Sequence, residues 1–180
     1  MAELQPRIVL LLDLDCFYAQ CESVRLGLDP SIPLALVQWD SALAVNYPAR
    51  AFGIKRGDSF ADISTKSGGR CSCIHLPILP VGVENGTSRA ATTALSEEEA
   101  YQKEFCLPPN VQNEAFLREK NVLRKQSEGK ASLDRYRLAS SRIFATILKV
   151  SCRHLTSSSV AVFFFSSTGY FKMHNDYDFL

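Results

Sequence analysis

Apolar positions form short runs in the first half of the chain and a helical stripe in the second. Residues 8–12 (IVLLL) run straight into Asp13, the pattern of a buried strand closed by polar residues. Asp15 is placed to cap a helix predicted over residues 17–26. "LDPSIP" reads as a turn. Residues 34–39 (LALVQW) and 42–46 (ALAVN) predict two strands around Asp40 and Ser41. "PARAFGI" begins with Pro48, which a first helical turn tolerates. A short helix is predicted over residues 59–67, and a strand over 73–76 after a Gly-Gly turn. Residues 80–112 break the pattern: Gly, Ser, Thr, Pro and the run Glu97, Glu98, Glu99 predict an insert or loop with one marginal helix. From Leu133 the helical pattern returns, with Leu133, Tyr136, Ile143, Ile147 and Val150 on one face. The end of the chain is rich in Ser and Phe. There "SVAVFFF" (159–165) carries the β-branched and aromatic residues of a strand. Strands and helices intermix, so the fold class is α/β (α+β), and no internal repeat is visible.

Composition adds a size limit and a charge map. The 180 residues, 46% of them hydrophobic, suffice for one compact domain with a real core. The net charge of +1 hides strong segregation. Residues 1–40 carry six acids and two bases, net −4, and residues 41–82 five bases and two acids, net +3. Residues 83–116 carry six acids and two bases, net −4, whereas residues 117–155 carry ten bases and three acids, net +7. A late basic segment suits phosphate backbones; a solvated helix face is the alternative. The six cysteines (16, 21, 71, 73, 106 and 152) include no C-x-x-C pair, and the three histidines do not complete a zinc site. Reduced thiols in an intracellular protein are expected. The N-terminus lacks the long apolar core of a secretory signal, and no apolar run approaches the ~20 residues that span a bilayer.

The first strand carries the candidate chemistry. Carboxylates at the carboxyl end of a buried strand are held rigidly where open α/β sheets place ligands. Two acids two apart on a strand point the same way, so Asp13 and Asp15 could share divalent cations, and magnesium suits such hard oxygen donors. The alternative is a capped strand-to-helix turn without metal. Two chemistries compete for the metal. The phosphotransferase pattern D-x-D-x-[TV] would make Asp13 a nucleophile, but its fifth position here is Phe17, neither hydroxylic nor β-branched. Nucleotidyl transfer instead places aromatics behind the metal, under a sugar, where a bulky ring rejects a 2′-hydroxyl. Phe17 and Tyr18 fit this second pattern.

"DLDCFYAQCE", "LALVQWDSALAVNYPARAFGIKRGDS" and the later "GKASLDRYRLAS" resemble the N-terminal catalytic region of Y-family translesion DNA polymerases, most of all the eta branch. The likeness covers about residues 7–78 and 129–150. It implies a partial palm sheet with a small fingers subdomain within residues 1–155, an insert at about 80–128, and no thumb or extra DNA-binding domain. It also implies magnesium, a DNA primer–template and deoxynucleoside triphosphates as partners, a monomer in the nucleus, and no membrane. By the resemblance, Asp13 is a catalytic metal ligand, Leu14 offers its backbone carbonyl, and Asp15 braces the turn. Phe17 packs on the nucleotide and Tyr18 is the steric gate. Gln38 faces the templating base, Tyr47 and Arg50 hold the triphosphate, and Arg56 lies over the base or α-phosphate.

The residues agree. Arginine suits bidentate phosphate contact, and Tyr47-x-x-Arg50 at a helix start puts both polar tips on one face near anion-favouring N–H groups. The alternatives are surface charge for Arg50 and Arg56, a backbone-bonded strand residue for Gln38, and core packing for Tyr18. The family's second acidic pair, in a motif like S-I-D-E, is absent after the long helix; the later acids are Asp176 and Asp178. Two-metal chemistry needs several carboxylates, so weak metal binding and little catalysis are expected. Residues 156–180 resemble nothing in the family. A truncated gene model, a retained intron or a frameshift would produce such a tail. So would a genuine form in which "SVAVFFF" replaces a palm strand. A non-catalytic nucleotide- or DNA-binding remnant using residues 117–155 is the second reading, and the phosphotransferase the third.

Overall fold

The computed structural model describes residues 8–80, 96–154, 160–166 and 169–172. They divide into two compact units, one taking the described residues up to Phe17 and from Ser141 on, the other those within Tyr18–Ser140.

In the first unit β1 (Ile8–Asp13) pairs in parallel with β7 (Val160–Ser166), which returns antiparallel to β8 (Gly169–Lys172). The strand expected at "SVAVFFF" therefore forms, beside the strand that carries Asp13. Parallel neighbours need a long crossover, and here the second unit lies between them in sequence. The helix α6 (Asp134–His154) contributes its residues from Ser141 onward to this unit.

The second unit is built on a sheet of order β3-β2-β4, from β2 (Leu34–Gln38), β3 (Ser41–Val45) and β4 (Ser72–His75). The two expected strands form a hairpin whose two-residue turn is Trp39 and Asp40, so Ser41 belongs to β3 and not to the turn. β2 runs parallel to β4 through a crossover holding α2 (Tyr47–Arg50) and α3 (Phe60–Ser67). α3 starts where Ser59 and Asp62 form a capping box and stops at Gly68 in the left-handed conformation (φ 59°). β2 and β4 are buried along nearly their whole length, as parallel strands covered on both faces must be. One face packs Ala35, Val37, Ile54, Ile63 and Cys73, with Phe52 and Phe60 at its margin. Each fully buried Val or Ile there contributes about 1.5–3 kcal/mol.

Two helices, α4 (Glu97–Phe105) and α5 (Pro109–Glu119), occupy the acidic segment where one marginal helix is expected. The first begins with a capping box of Ser96 and Glu99, and the second has Pro109 in its first turn. Residues 81–95 of that segment lie outside the described residues. The chain leaving α5 covers the edge of β4, where the Asn121 amide donates to the Cys73 carbonyl at 2.7 Å and the Cys73 amide to Asn121 Oδ1 at 2.9 Å. Such cover removes an exposed strand edge. A two-stranded piece, β5 (Ile78–Pro80) with β6 (Gly129–Ala131), completes the unit. There a Cβ at Gly129 would sit 1.9 Å from the Leu79 carbonyl oxygen, so only glycine fits.

Candidate active site

β1 ends on Asp13, and the chain turns through Asp15 and Cys16, the latter at φ 40°, before α1 (Phe17–Arg25) begins. Asp15 is thus in the turn and not on the strand. Two acids on one strand face is therefore not the arrangement found, because the left-handed residue ends the extended run. Both carboxylates are exposed and Leu14 is half-buried. The neighbouring strand brings Phe165 into register with Asp13. Among the described residues no group of three or more His, Cys, Asp and Glu side chains could hold a metal. The Asp13 carboxylate and the Leu14 carbonyl are hard donors of the kind magnesium takes, leaving the rest of its shell to phosphate and water. They do not fit the paired-cation clamp of nucleotidyl transfer. Asp176 and Asp178 lie outside the described residues.

The candidate phosphate residues of the second unit sit on short, heavily bonded elements. Asn46, buried between β3 and α2, accepts from the amides of Leu34 at 2.9 Å and Ala49 at 3.1 Å and donates to the Ile32 carbonyl at 2.9 Å. This fixes the start of α2 against β2. It also limits the helix N-terminus: Pro48 has no N–H and the Ala49 N–H is taken, so neither position offers an amide to an anion. What remains is the side-chain pair. The Arg50 guanidinium lies 4.8 Å from the Tyr47 ring centre, oriented by its Nε–H, which donates to the Val45 carbonyl at 3.0 Å. Tyr47 and Arg50 are brought together as the i, i+3 spacing predicts, and both are exposed.

Arg56 is exposed in a turn over residues 55–58 with Gly57 at φ 91°. Asp58 clamps that turn, accepting from the Lys55 amide at 2.8 Å and from Lys66 Nζ at 2.6 Å. The hydrogen bond from Lys66, then that from Lys55, holds the Asp58 carboxyl below its ordinary value. The same loop is tied to the hairpin that carries Gln38. The Ala42 amide donates to Asp58 at 2.9 Å, the Gly57 amide to Ala42 at 2.8 Å, and the Phe60 amide to Asp40 Oδ1 at 3.1 Å. Gln38 itself is half-buried at the end of β2, paired with Ser41.

α1 is more deeply buried than a simple amphipathic helix. Phe17 is 6% exposed and Tyr18 3%, and the Tyr18 ring centre lies 4.5 Å from that of Tyr136 at the start of α6. Tyr18 is thus a core side chain in this structure, whatever else its ring does. One turn on, Glu22 is fully buried and forms the centre of a network that sequence reasoning missed. It accepts from Arg25 Nε at 2.8 Å, Arg135 at 3.0 Å and the Tyr136 hydroxyl at 2.7 Å. Arg25 also pairs with Glu119 on α5, and Arg135 with Glu104 on α4, so the two acidic-segment helices are bound to α1 and α6 through charge. Burial pulls Arg135 down, but the charges of Glu22 and Glu104 outweigh it and raise its pKa. Burial, then Glu22, pushes the Tyr136 hydroxyl up, and the same causes push the Cys21 thiol up to about 12. A charged residue four after Tyr18 on an otherwise apolar helix face was the available signal.

A family model described as the impB/mucB/samB family matches residues 12–178. The chain belongs to this family. The match runs through residues 156–178, set apart above as a tail. Membership in the impB/mucB/samB family bears out the Y-family polymerase resemblance and sets aside the phosphotransferase pattern. The chain is 50% identical over 66 residues to N-acetyltransferase eso1 of Schizosaccharomyces pombe, covering 37% of this chain and 8% of that protein. It is 42% identical over 55 residues to DNA polymerase eta of Saccharomyces cerevisiae, covering 31% of this chain and 9% of that protein. To DNA polymerase eta of Drosophila melanogaster it is 42% identical over 65 residues, covering 32% of this chain and 7% of that protein. The chain thus spans under a tenth of the length of the curated relatives it matches. Among the described residues no helix is long and apolar enough to cross a membrane.

Proposed function

We propose that this chain is the nucleotide-holding part of a translesion DNA polymerase of the eta kind. It would act on a DNA primer–template with deoxynucleoside triphosphates in the nucleus, as a monomer. The observation that carries this reading is the Tyr47–Arg50 pair, exposed side by side on a helix whose start is fixed by Asn46. Arg50 and Tyr47 hold the triphosphate, and Arg56 meets the base or α-phosphate from its clamped turn. Gln38 faces the templating base. Phe17 and Tyr18 form the floor under the sugar, Tyr18 rejecting a 2′-hydroxyl by bulk. Asp13 and the Leu14 carbonyl would hold one magnesium, with Asp15 bracing the turn. Bound there, that ion would supply charge neutralisation to an anionic group.

A second reading, binding without transfer, is favoured by the donor set at Asp13, which among the described residues falls short of two cations. The two readings separate in a primer-extension assay with magnesium and deoxynucleotides. No extension is expected from this chain; extension that disappears in Asp13→Ala would establish the polymerase and remove the binding-only form. DNA affinity should fall steeply with salt, because phosphate contacts by residues 117–155 release counterions. Affinity that ignores salt would remove that segment from the interface.

A further inference from the structure

The β2–β3 turn is built around a residue that should resist it. Trp39 adopts φ 56°, a conformation in which a bulky side chain is an outlier. Such strain persists only when the surroundings hold it. Here the holder is His75 at the end of β4. The Trp39 amide donates to His75 Nε2 at 2.7 Å, and His75 Nδ1 lies 2.7 Å from the Leu76 carbonyl. A carbonyl only accepts, so Nδ1 carries the proton and Nε2 is the bare acceptor. The two rings are 5.3 Å apart, and His75 is 8% exposed. The turn residue next to Trp39 is held as well, by the Phe60 amide on Asp40.

We propose that His75 is a positioning residue: its neutral ring holds the Trp39 turn, and with it Gln38, and taking up a proton at Nε2 releases that turn. An imidazolium has two donors and no acceptor, so Nε2–H would face the Trp39 N–H. The electrostatics work against that proton at neutral pH. Burial lowers the His75 pKa below 6.5, the Leu76 hydrogen bond opposes this, Arg124 lowers it further and Glu128 raises it. A cleft of about 420 Å³ beside the ring is lined by Arg118, Glu119, Arg124, Glu128 and Arg135, the charged groups that face it from α5, the following turn and α6. The hold is therefore complete above pH 6.5 and is lost as pH falls through the lowered value. The proposal depends on the polymerase reading only for what Gln38 does once held.

Trp39 is the single tryptophan of the chain, so its fluorescence reports the turn directly. The experiment follows Trp39 emission and Trp39 amide exchange from pH 8 to pH 5 on the full chain without DNA. In the wild type, emission should titrate with a midpoint below 6.5. Trp39 exchange, corrected for intrinsic pH dependence, should quicken about tenfold, the worth of one hydrogen bond. His75→Gln keeps an acceptor that does not titrate and should flatten both curves. His75→Phe should leave the Trp39 amide fast at every pH. Curves that persist in His75→Gln, or that are flat in the wild type, overturn the proposal. Should the variants not fold, the wild-type ring resonances decide. A His75 midpoint at or above 6.5 with constant Trp39 exchange overturns it, and a lower midpoint shared by both resonances supports it. Template–primer DNA that leaves the Gln38 side-chain resonances unmoved at pH 8 would count against the polymerase reading and not against the His75 hold.

Discussion

The two sheets end on different chemistry. At the edge of β3-β2-β4, Asn46, Asp58 and Asp40 each use their oxygens to fix the elements that carry Tyr47, Arg50, Arg56 and Gln38. At the edge of β1-β7-β8, Asp13 stands exposed with Phe165 in register beside it. The candidate phosphate side is encoded locally, by neighbours within residues 32–66 whose turns and caps close on one another. On the candidate metal side β1 pairs with β7, a strand distant in sequence that carries valine and phenylalanine and no acid. On the proposed reading, holding a triphosphate and holding a metal would be separable properties of this chain.

The sharpest way to break that comparison is through stability. Glu22→Ala strips a fully buried carboxylate from two guanidinium groups and a hydroxyl. Removing one partner of a buried ion pair costs about 3–5 kcal/mol, so a large fall in the urea midpoint is expected. Asp13→Ala, at the exposed strand end, should stay within about 0.5 kcal/mol of the wild type. Equal losses would mean that the metal edge is as firmly built as the rest. Tyr18 divides the same way. Tyr18→Ala should cost about 3 kcal/mol or more through lost packing on Tyr136, whereas Tyr18→Phe keeps the ring and should cost clearly less. Stability unchanged in Tyr18→Ala would place the ring outside the core and favour a dedicated gate. The smallest effect concerns the Arg56 turn. Asp58 is held below its ordinary value of 3.8, so its clamp is present above that pH and lost as pH falls through the lowered value. Amide exchange at Lys55, corrected for intrinsic pH dependence, should quicken on acidification and, at neutral pH, in Asp58→Asn. Exchange indifferent to both would show that Gly57 alone shapes the turn.

Much of the site was legible because its signals are local. The apolar run into Asp13, the two apolar runs of the β2–β3 hairpin, Ser59 before α3 and Pro48 in α2 all act within a few residues. The turn at Cys16 was not legible, since a left-handed cysteine leaves no mark in composition, and it moved Asp15 off the strand. The pair α4 and α5 was under-read despite the S-x-x-E box at Ser96. Neither helix has a clear apolar stripe, and each draws on a tertiary charge pair, Glu104 of α4 with Arg135 and Glu119 of α5 with Arg25. Glu22 illustrates the general difficulty: a charge in sequence reads as surface, and only its three donors make burial affordable.

Titration of a fluorescent deoxynucleoside triphosphate against the wild type, Arg50→Ala and Asp13→Ala, each with magnesium and with chelator, tests the separation most directly. Losing a charge-assisted phosphate contact costs about 1.5–3 kcal/mol, so Arg50→Ala should weaken binding at least tenfold. Asp13→Ala should change it by less than about threefold, in line with a surface substitution. The contradicting result is the reverse order: Asp13→Ala or chelator abolishing binding while Arg50→Ala leaves it intact.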